Sequence, residues 1–188
     1  MREIRVIQNN DYIDEDIFNS KMSLLGLEEK EAVMKYKLPK DRARSLAGYL
    51  LLNEMTGLTP AFSKGPHGKK YILGEDVPFF SLSHSGDLSA CAVSDREVGI
   101  DIQTVKDVRP SLAARICLEE EMKYPPLDVW SAKEAYVKLT GEGLYRSFDS
   151  FRVDIDEGKV CDLSGKELAR ITRISLPEGY TGFCAELL

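Results

Sequence analysis

Short runs of strand-forming residues fill the middle of the chain and constrain its fold more than any other feature. A turn at Gly86-Asp87 separates the second run from the third. The four runs span residues 70–73, 79–83, 88–93 and 98–102. Helix-forming segments lie before and after them, so each half of the chain combines helix with strands. The pattern predicts an α/β fold with two similar lobes, 1–100 and 101–188, whose boundary falls near residues 101–108.

One long helix is predicted in each half. Pro39 suits the first turn of a helix. The apolar residues that then recur with helical spacing are Ala43, Leu46, Ala47 and Leu50. In the second half, Asp128 is a candidate N-cap and Gly141 a candidate stop for a helix over 129–139. The remaining predicted elements are helices at 27–38 and 112–122 and strands at 2–8, 151–155, 169–176 and 183–187.

Length and composition exclude several classes of protein. The 188 residues, 43% of them hydrophobic, suffice for one medium domain or two small lobes with a buried core. A net charge of −6 disfavours general nucleic-acid binding. No apolar run approaches the roughly 20 residues of a membrane span, and no signal peptide is evident. Four cysteines without C-x-x-C spacing argue against a zinc site or a disulfide framework and indicate the reducing cytoplasm.

Positive charge is concentrated in one segment of this otherwise acidic chain. Residues 35–70 hold eight Lys or Arg residues against two acids. Such a cluster is commonly a solvated helix face. The second interpretation is an anion site for a phosphate-bearing ligand.

The segment F-S-L-S-H-S-G at 80–86 brings three hydroxyl groups and one of the two histidines to the end of a predicted strand. Ordinary turn chemistry accounts for many segments of this kind. A serine hydrolase would need a G-x-S-x-G nucleophile elbow, which the sequence lacks. An anion-binding turn, whose hydroxyl, imidazole and backbone N–H groups donate to phosphate, fits these residues better.

The segment G-I-D-I-Q at 99–103 carries two oxygen-bearing side chains. Asp101 and Gln103 project to the same face if the segment is a strand. Oxygen ligands of this kind suit a hard divalent cation such as Mg²⁺. An ordinary strand end is the alternative.

The segment W-S-A-K-E-A-Y-V-K at 130–138 reads as helix. Trp130, Glu134 and Lys138 would share one face of it. A surface Glu–Lys pair is the plain interpretation. The functional one is a carboxylate for metal or base chemistry beside a cation for phosphate.

Taken together and in this order, these segments resemble the 4′-phosphopantetheinyl transferases, in particular the two-lobed class of the surfactin-synthetase-activating type. That family carries a G-K-P-like segment, then F-N-x-S-H-S-G, G-[IV]-D-[IL]-E and W-[ST]-x-K-E-[SA]-x-x-K, followed by G-x-G-L and D-S-F. The matching segments here are 68–70, 80–86, 99–103, 130–138, 141–144 and 149–151. The resemblance covers roughly residues 25–155 and is weak in the N-terminal strand and the tail.

The resemblance implies an architecture and a reaction. Each lobe would be a small antiparallel sheet packed on a long helix, and the two would form a pseudo-dimer within a monomeric chain, with the active site in the cleft between them. The enzyme would transfer 4′-phosphopantetheine from coenzyme A to a serine of an apo acyl or peptidyl carrier protein, release 3′,5′-ADP and use Mg²⁺. The carrier could belong to fatty-acid, polyketide or peptide synthesis.

The resemblance also implies roles for residues of the second half. Asp101, Glu134 and, directly or through water, Gln103 would hold the metal. Glu134 or Glu121 would act as the general base, and Lys138 would contact the pyrophosphate.

Residues of the first half would bind coenzyme A by the same resemblance. Ser83 and His84 would hold its 3′-phosphate. The residues that would add positive charge are Lys40, Arg44 and Lys69. His67 would contact the nucleotide or stay an exposed loop histidine.

The sequence departs from the family pattern at residues of functional interest. Gln103 stands where the family has an acidic residue, and Lys70 replaces the proline of G-K-P. The segment between Asp101 and Trp130 is also shorter than in longer members. A neutral amide gives a bound cation less negative charge.

Two other functions compete with this one. A serine hydrolase would pair Ser83 or Ser85 with His84, but adjacent residues of a strand point to opposite faces. A coenzyme A- or carrier-binding module that has lost catalysis would explain Gln103.

Overall fold

A computed structural model describes residues 2–188, except for the side chain of Leu144. The α-helices are α1 (Glu15–Met22), α2 (Leu27–Met34), α3 (Pro39–Thr56), α4 (Pro110–Ile116) and α5 (Pro126–Thr140). The strands are β1 (Arg2–Gln8), β2 (Phe62–Lys64), β3 (Lys70–Ile72), β4 (Phe79–Ser85), β5 (Leu88–Ser94), β6 (Val98–Thr104), β7 (Phe151–Asp154), β8 (Lys159–Asp162), β9 (Glu167–Arg173) and β10 (Tyr180–Leu187). Short 3₁₀ turns occupy Asn10–Ile13, Glu119–Glu121, Gly143–Tyr145 and Phe148–Ser150.

The strands form antiparallel sheets. The first sheet has the order β1-β5-β4, and the second has the order β6-β10-β9-β8-β7. A separate hairpin pairs β2 with β3. The predicted mixture of helices and strands is therefore confirmed as a mixed α/β fold with antiparallel sheets.

A long helix packs against each of the two larger sheets. Helix α3 begins at Pro39 in its first turn, as predicted, and ends at Gly57, whose φ of 67° lies in the left-handed region. The predicted buried stripe is confirmed at Ala43, Leu46 and Ala47, while Leu50 is only half-buried. Helix α5 likewise ends at Gly141 with a φ of 73°.

Helix α5 lies unusually close to β6 because Gly99 has no side chain. A Cβ atom at Gly99 would overlap the carbonyl oxygen of Ala135 and the backbone nitrogen of Leu139. Backbone atoms in a packed helix cannot move aside cheaply. Glycine at this position therefore sets the separation between the second sheet and its helix.

Hydroxyl groups join the two larger sheets. Strands β4 and β6 stand at the ends of different sheets, and alternate serines of β4 accept hydrogen bonds from alternate backbone N–H groups of β6. We call these three contacts the serine seam. Its donor–acceptor pairs are Ile100 N to Ser81 Oγ at 3.1 Å, Ile102 N to Ser83 Oγ at 3.1 Å and Thr104 N to Ser85 Oγ at 2.9 Å.

The serine seam corrects one prediction. The S-H-S segment was expected to enter a turn, but β4 continues through Ser85 and the turn is confined to Gly86-Asp87. The reason is that Ser83 and Ser85 satisfy backbone donors of the neighbouring strand, which holds them in the extended conformation.

The region before α5 also differs from the prediction. The single helix expected over 112–122 is instead α4 followed by a 3₁₀ turn at Glu119–Glu121. Asp128 is not an N-cap, because α5 already begins at Pro126. Its carboxylate accepts hydrogen bonds from Arg173 and Thr181, both at 2.7 Å, and so ties the helix to the second sheet.

Two short strands were not predicted. Strand β2 lies inside a segment expected to be a loop, and β8 fills a gap between two predicted strands. Their three and four residues are too few to show periodicity in sequence.

A buried ion pair connects α5 to the segments around it. Lys133 Nζ lies 2.6 Å from Glu121, and both side chains are essentially inaccessible to solvent. Lys133 also donates to the carbonyls of Ile116 at 3.1 Å and Phe148 at 2.8 Å. Glu121 in turn accepts from the backbone N–H of Val153 at 2.7 Å. Both charges are therefore fully paired, as buried charges must be.

No helix among residues 2–188 is long and apolar enough to cross a membrane. All four cysteines are free thiols and are buried.

Gly99→Ala is expected to lower the free energy of unfolding by at least about 3 kcal/mol, because the added methyl group meets helix backbone. Urea denaturation of both proteins measures the change. Gly48→Ala in α3 is the matched control, since a Cβ there would make only ordinary contact with Leu82 at 3.6 Å. A Gly99→Ala protein within about 0.5 kcal/mol of the wild type would show that β6 and α5 are not packed this closely.

Lys133→Met is expected to cost about 3–5 kcal/mol of stability, because it leaves the Glu121 carboxylate buried without its cation. The double variant Lys133→Met/Glu121→Gln should recover part of that loss, since no uncompensated charge remains. Thermal and urea unfolding of the three proteins provide the comparison. Equal stability of the single variant and the wild type would contradict the buried pair.

Candidate active site

Three donors surround the carboxylate of Asp101. Its Oδ1 accepts hydrogen bonds from Lys138 Nζ at 2.7 Å and from Ser83 Oγ at 3.0 Å, and its Oδ2 accepts one from Gln103 Nε2 at 2.8 Å. Asp101 is only 3% exposed. Lys138 also donates to the carbonyl of Ile100 at 3.0 Å. The structure thus brings one acid, one cation and two neutral donors, all predicted site residues, into a single cluster.

Glu134 lies one helical turn before Lys138 on α5. Burial raises the pKa of Glu134, Lys138 opposes that effect, and the carboxylate of Asp101 adds to it. Within residues 2–188, Glu134 has no hydrogen-bond or ion-pair partner, whereas the Asp101 carboxylate accepts three hydrogen bonds. Glu134 therefore offers carboxylate oxygens that can accept a proton or bind a ligand.

A first cavity, of about 350 Å³, opens beside Asp101 and is called the His84 cavity here. Its lining residues are Tyr36, Arg44, Ser45, Gly48, Tyr49, Leu82, Ser83, His84, Asp101 and Lys138. Burial lowers the pKa of His84, and the nearby charges of Lys138 and Arg44 lower it further. Both effects favour the neutral imidazole.

A second cavity, of about 340 Å³, is called the Lys70 cavity. Its lining residues are Tyr49, His67, Gly68, Lys69, Lys70, Phe80, Ser81, Leu82, Val137, Lys138, Gly141 and Gly143. Because Tyr49, Leu82 and Lys138 line both this cavity and the His84 cavity, the two are parts of one cleft.

A third cavity, of about 280 Å³, contains Glu134 and is called the Glu134 cavity. The other lining residues are Leu112, Arg115, Ile116, Trp130, Gly143, Arg146 and Phe148. Glu134 and Lys138 share a face of α5, so the helix connects this cavity to the cleft formed by the other two.

Several predicted anion-binding residues are held by partners within the chain. Lys69 pairs with Glu97 and donates to the carbonyl of Leu139 at 2.8 Å, at the end of α5. Lys40 is exposed and pairs with Asp87 at 3.0 Å. Ser83 is committed to the serine seam and to Asp101.

Arg44 and His67 lie at the rims of the cleft. Arg44 donates to the carbonyl of Gly86 at 2.8 Å and pairs with Asp41 at 2.8 Å, and it still lines the His84 cavity. The His67 ring packs against Tyr145, with ring centroids 4.5 Å apart, at the rim of the Lys70 cavity.

Glu121 is not brought to this cluster. It forms the buried ion pair with Lys133 and accepts backbone N–H groups of Leu118 and Val153. It lines none of the three cavities.

Three hydroxyl-bearing residues of the His84 cavity could not be identified from the sequence. Tyr36, Ser45 and Tyr49 line the His84 cavity with hydroxyl-bearing side chains. The available signal was on α3, where Ser45 and Tyr49 lie one turn apart and follow Arg44.

The donor chemistry of the cluster suits a hard cation. The described residues contain no group of three or more His, Cys, Asp or Glu side chains placed to hold a metal. However, Mg²⁺ commonly takes only one or two carboxylates together with substrate phosphate oxygens. The Asp101 carboxylate is close enough to raise the pKa of Glu134. The Gln103 amide donates a hydrogen bond to Asp101 at the same place. The residues present therefore fit such an ion.

Comparison with known proteins identifies the family. The family model described as the 4′-phosphopantetheinyl transferase superfamily matches residues 97–180. The "4′-phosphopantetheinyl transferase gsp" of Aneurinibacillus migulanus is 28% identical over all of this chain and 86% of its own length. A "4′-phosphopantetheinyl transferase" of Bacillus subtilis is 30% identical over 85% of this chain and 74% of its own length. The "4′-phosphopantetheinyl transferase AcpT" of Salmonella typhi is 33% identical, over 70% and 77% respectively.

The family model covers Asp101, Gln103, Glu134 and Lys138 and both ends of α5. On this similarity, which extends over most of both sequences, the chain belongs to the 4′-phosphopantetheinyl transferases, the enzymes that transfer the phosphopantetheine group of coenzyme A to carrier proteins.

Proposed function

We propose that Asp101, Glu134 and Lys138 form the catalytic centre for transfer of 4′-phosphopantetheine from coenzyme A to a serine of an apo acyl or peptidyl carrier protein. The main support is the arrangement on α5. An unpartnered Glu134 carboxylate lies one turn from a lysine that is paired with Asp101, where three cavities adjoin.

The reaction requires one bond to form and one to break. The carrier serine oxygen forms a bond to the phosphorus that bears pantetheine, and the bond from that phosphorus to 3′,5′-ADP breaks. Glu134 accepts the serine proton, and Lys138 stabilises the negative charge on the pyrophosphate oxygens. Phosphoryl transfer asks a protein chiefly for this positioning and charge neutralisation.

Glu134 is a better candidate for the general base than Glu121. Three groups already occupy the Glu121 carboxylate: Lys133 and the N–H groups of Leu118 and Val153. It has no solvent access through which a serine could approach. Glu134 has both an open cavity and unoccupied oxygens.

We assign the Mg²⁺ ligands to Asp101 and to one oxygen of Glu134, whose other oxygen accepts the serine proton, with Gln103 contributing its amide oxygen directly or through water. A bound Mg²⁺ supplies positive charge that neutralises the pyrophosphate. Because the Gln103 amide donates to Asp101, it also fixes the orientation of that carboxylate.

Coenzyme A is assigned to the cleft. The His84 cavity would take the 3′-phosphate, with His84, Arg44 and Ser45 as donors. Ser83 would act there mainly by orienting Asp101, since its hydroxyl is committed. Lys40 would add positive charge near the mouth of the cleft.

The remaining nucleotide contacts are assigned to the Lys70 cavity. His67 would contact the nucleotide at its rim. Lys69 would help by anchoring its own loop to the end of α5, through Glu97 and the carbonyl of Leu139.

The proposed function also implies a two-lobed architecture. We infer that residues 1–100 and 101–188 form two similar lobes, each with a sheet and its long helix, related as a pseudo-dimer around the cleft. The boundary falls within β6 (Val98–Thr104), which belongs to the second sheet. A pseudo-dimer completes the site within one chain, so the enzyme is expected to be a monomer. The four free, buried cysteines are consistent with the cytoplasm.

Incubation of an apo carrier protein with coenzyme A, Mg²⁺ and this enzyme should add about 340 Da to the carrier, the mass of one phosphopantetheine group. Glu134→Gln is expected to slow this transfer by at least about 100-fold, because it removes the base. Mass spectrometry of the carrier gives the rate.

Glu31→Gln, which neutralises an exposed carboxylate on α2, serves as the control and should transfer at the wild-type rate. Chelation with EDTA should stop transfer, and added Mg²⁺ should restore it. Binding of coenzyme A without any mass gain on the carrier would instead favour the binding-module alternative.

His84→Ala is expected to raise the KM for coenzyme A about tenfold or more, with little effect on dephospho-coenzyme A. Only coenzyme A carries the 3′-phosphate, and a charge-assisted hydrogen bond of this kind contributes about 1.5–3 kcal/mol. Steady-state kinetics with the two substrates provide the test. Equal losses on both would place His84 away from the 3′-phosphate.

Binding of coenzyme A is expected to take up a proton at pH 6–7. Burial and neighbouring cations lower the pKa of His84 in the free enzyme, and a bound phosphate dianion raises it again. Affinity should therefore increase as the pH falls through this range. Titration calorimetry in buffers of different ionisation enthalpy measures the uptake, which His84→Ala should abolish. Uptake that persists in His84→Ala would assign the proton to another group.

A further inference from the structure

Lys70 presents a partly buried ammonium group to the Lys70 cavity. Its Nζ donates to the hydroxyl of Tyr49 at 2.8 Å and lies over the rings of Tyr49 and Phe62, 5.0 and 4.7 Å from their centroids. Aromatic faces attract a cation but accept no conventional hydrogen bond from it. Among the described residues, one of its three N–H groups therefore donates a conventional hydrogen bond.

The adjacent Lys69 has more hydrogen-bond and ion-pair partners within the chain than Lys70 has. Lys69 has a carboxylate partner, Glu97, and two backbone carbonyls. Among residues 2–188, Lys70 has no carboxylate within 4.0 Å, and Glu28 and Glu29 act on it only at longer range. Two ammonium donors at the cavity wall are thus available to a ligand.

The cleft determines which part of coenzyme A reaches this wall. With the 3′-phosphate in the His84 cavity, we assign the base, which is one ribose away, to the adjoining Lys70 cavity, since the two cavities share Tyr49, Leu82 and Lys138. The pantetheine arm leaves from the reacting phosphorus and must run towards Glu134. The lining of this cavity also includes Val137 and three glycines, Gly68, Gly141 and Gly143, whose small surfaces suit a flat ring.

We propose that Lys70, oriented by Tyr49, is a specificity-determining residue that donates a hydrogen bond to an acceptor nitrogen of the adenine base of coenzyme A. This inference rests on the proposed function, which places the 3′-phosphate beside His84. A lysine at this position departs from the G-K-P pattern, so the contact belongs to this chain's own residues. Lys70 would add selectivity for a base that offers an acceptor at its edge.

The competing explanation is that Lys70 only balances the charge of Glu28 and Glu29 beneath the hairpin. In that case its removal would change the stability of the protein or the general electrostatic attraction of anions. It would not distinguish a ligand with a base from one without.

The experiment compares two probes by titration calorimetry: adenosine 3′,5′-bisphosphate and ribose 3,5-bisphosphate, which has the same phosphates but no base. Lys70→Met is expected to weaken binding of the adenosine compound about tenfold and to leave binding of the ribose compound within twofold. Tyr49→Phe should produce a smaller loss in the same direction. Lys64→Met is the matched control, because Lys64 pairs with Lys70 across the β2–β3 hairpin and carries the same charge on an exposed side chain.

The other outcomes overturn the proposal in distinguishable ways. Equal losses on both probes, or an equal effect of Lys64→Met, would reduce Lys70 to a general electrostatic role. Coenzyme A is titrated as a third ligand, and a loss for coenzyme A but not for adenosine 3′,5′-bisphosphate would assign the cavity to the pantetheine arm. If the wild-type enzyme binds neither probe, the proposed function itself fails, and the Lys70 assignment fails with it.

Discussion

Three serine hydroxyls determine how the two sheets meet at the candidate active site. In the serine seam, Ser81, Ser83 and Ser85 replace the backbone carbonyls that a paired strand would offer to β6. Because alternate residues of a strand point to opposite sides, the same spacing leaves His84 on the other side of β4, in its cavity. Ser83 has a second partner, Asp101, so the contact that joins the sheets also orients the central carboxylate.

The close approach of α5 to β6 supplies the other half of the site. Gly99 allows the helix backbone to contact the strand, and two residues later Asp101 meets Lys138 at 2.7 Å. A larger residue at Gly99 would push the helix away and lengthen every contact between them. The G-I-D segment therefore combines a packing requirement with a chemical one, which explains why its glycine and its acid occur so close together.

Much of the fold and of the central cluster could be predicted from sequence, because periodicity, caps and motif spacing are local signals. Helices α3 and α5 and most strands follow from them, whereas the grouping of Asp101 with Lys138 was implied by the resemblance to the family. The partners of Lys69 and Glu121 could not be predicted. Glu97 lies 28 residues from Lys69 and Lys133 lies 12 residues from Glu121, and only the folded chain brings each pair together. The acceptor role of the β4 hydroxyls could not be predicted for the same reason, since it depends on a strand about 19 residues away.

The serine seam also bears on how the enzyme avoids aggregation. A sheet with two ends exposes two rows of unpaired backbone groups, and such rows can template intermolecular β-pairing. Here β4 and β6 cover one another. The outer strand β1 carries Arg2, Glu3 and Arg5, and the outer strand β7 is four residues long, with its Val153 N–H occupied by Glu121. A variant that opens the seam would uncover two edges at once, so its first symptom should be insolubility during expression rather than slow catalysis.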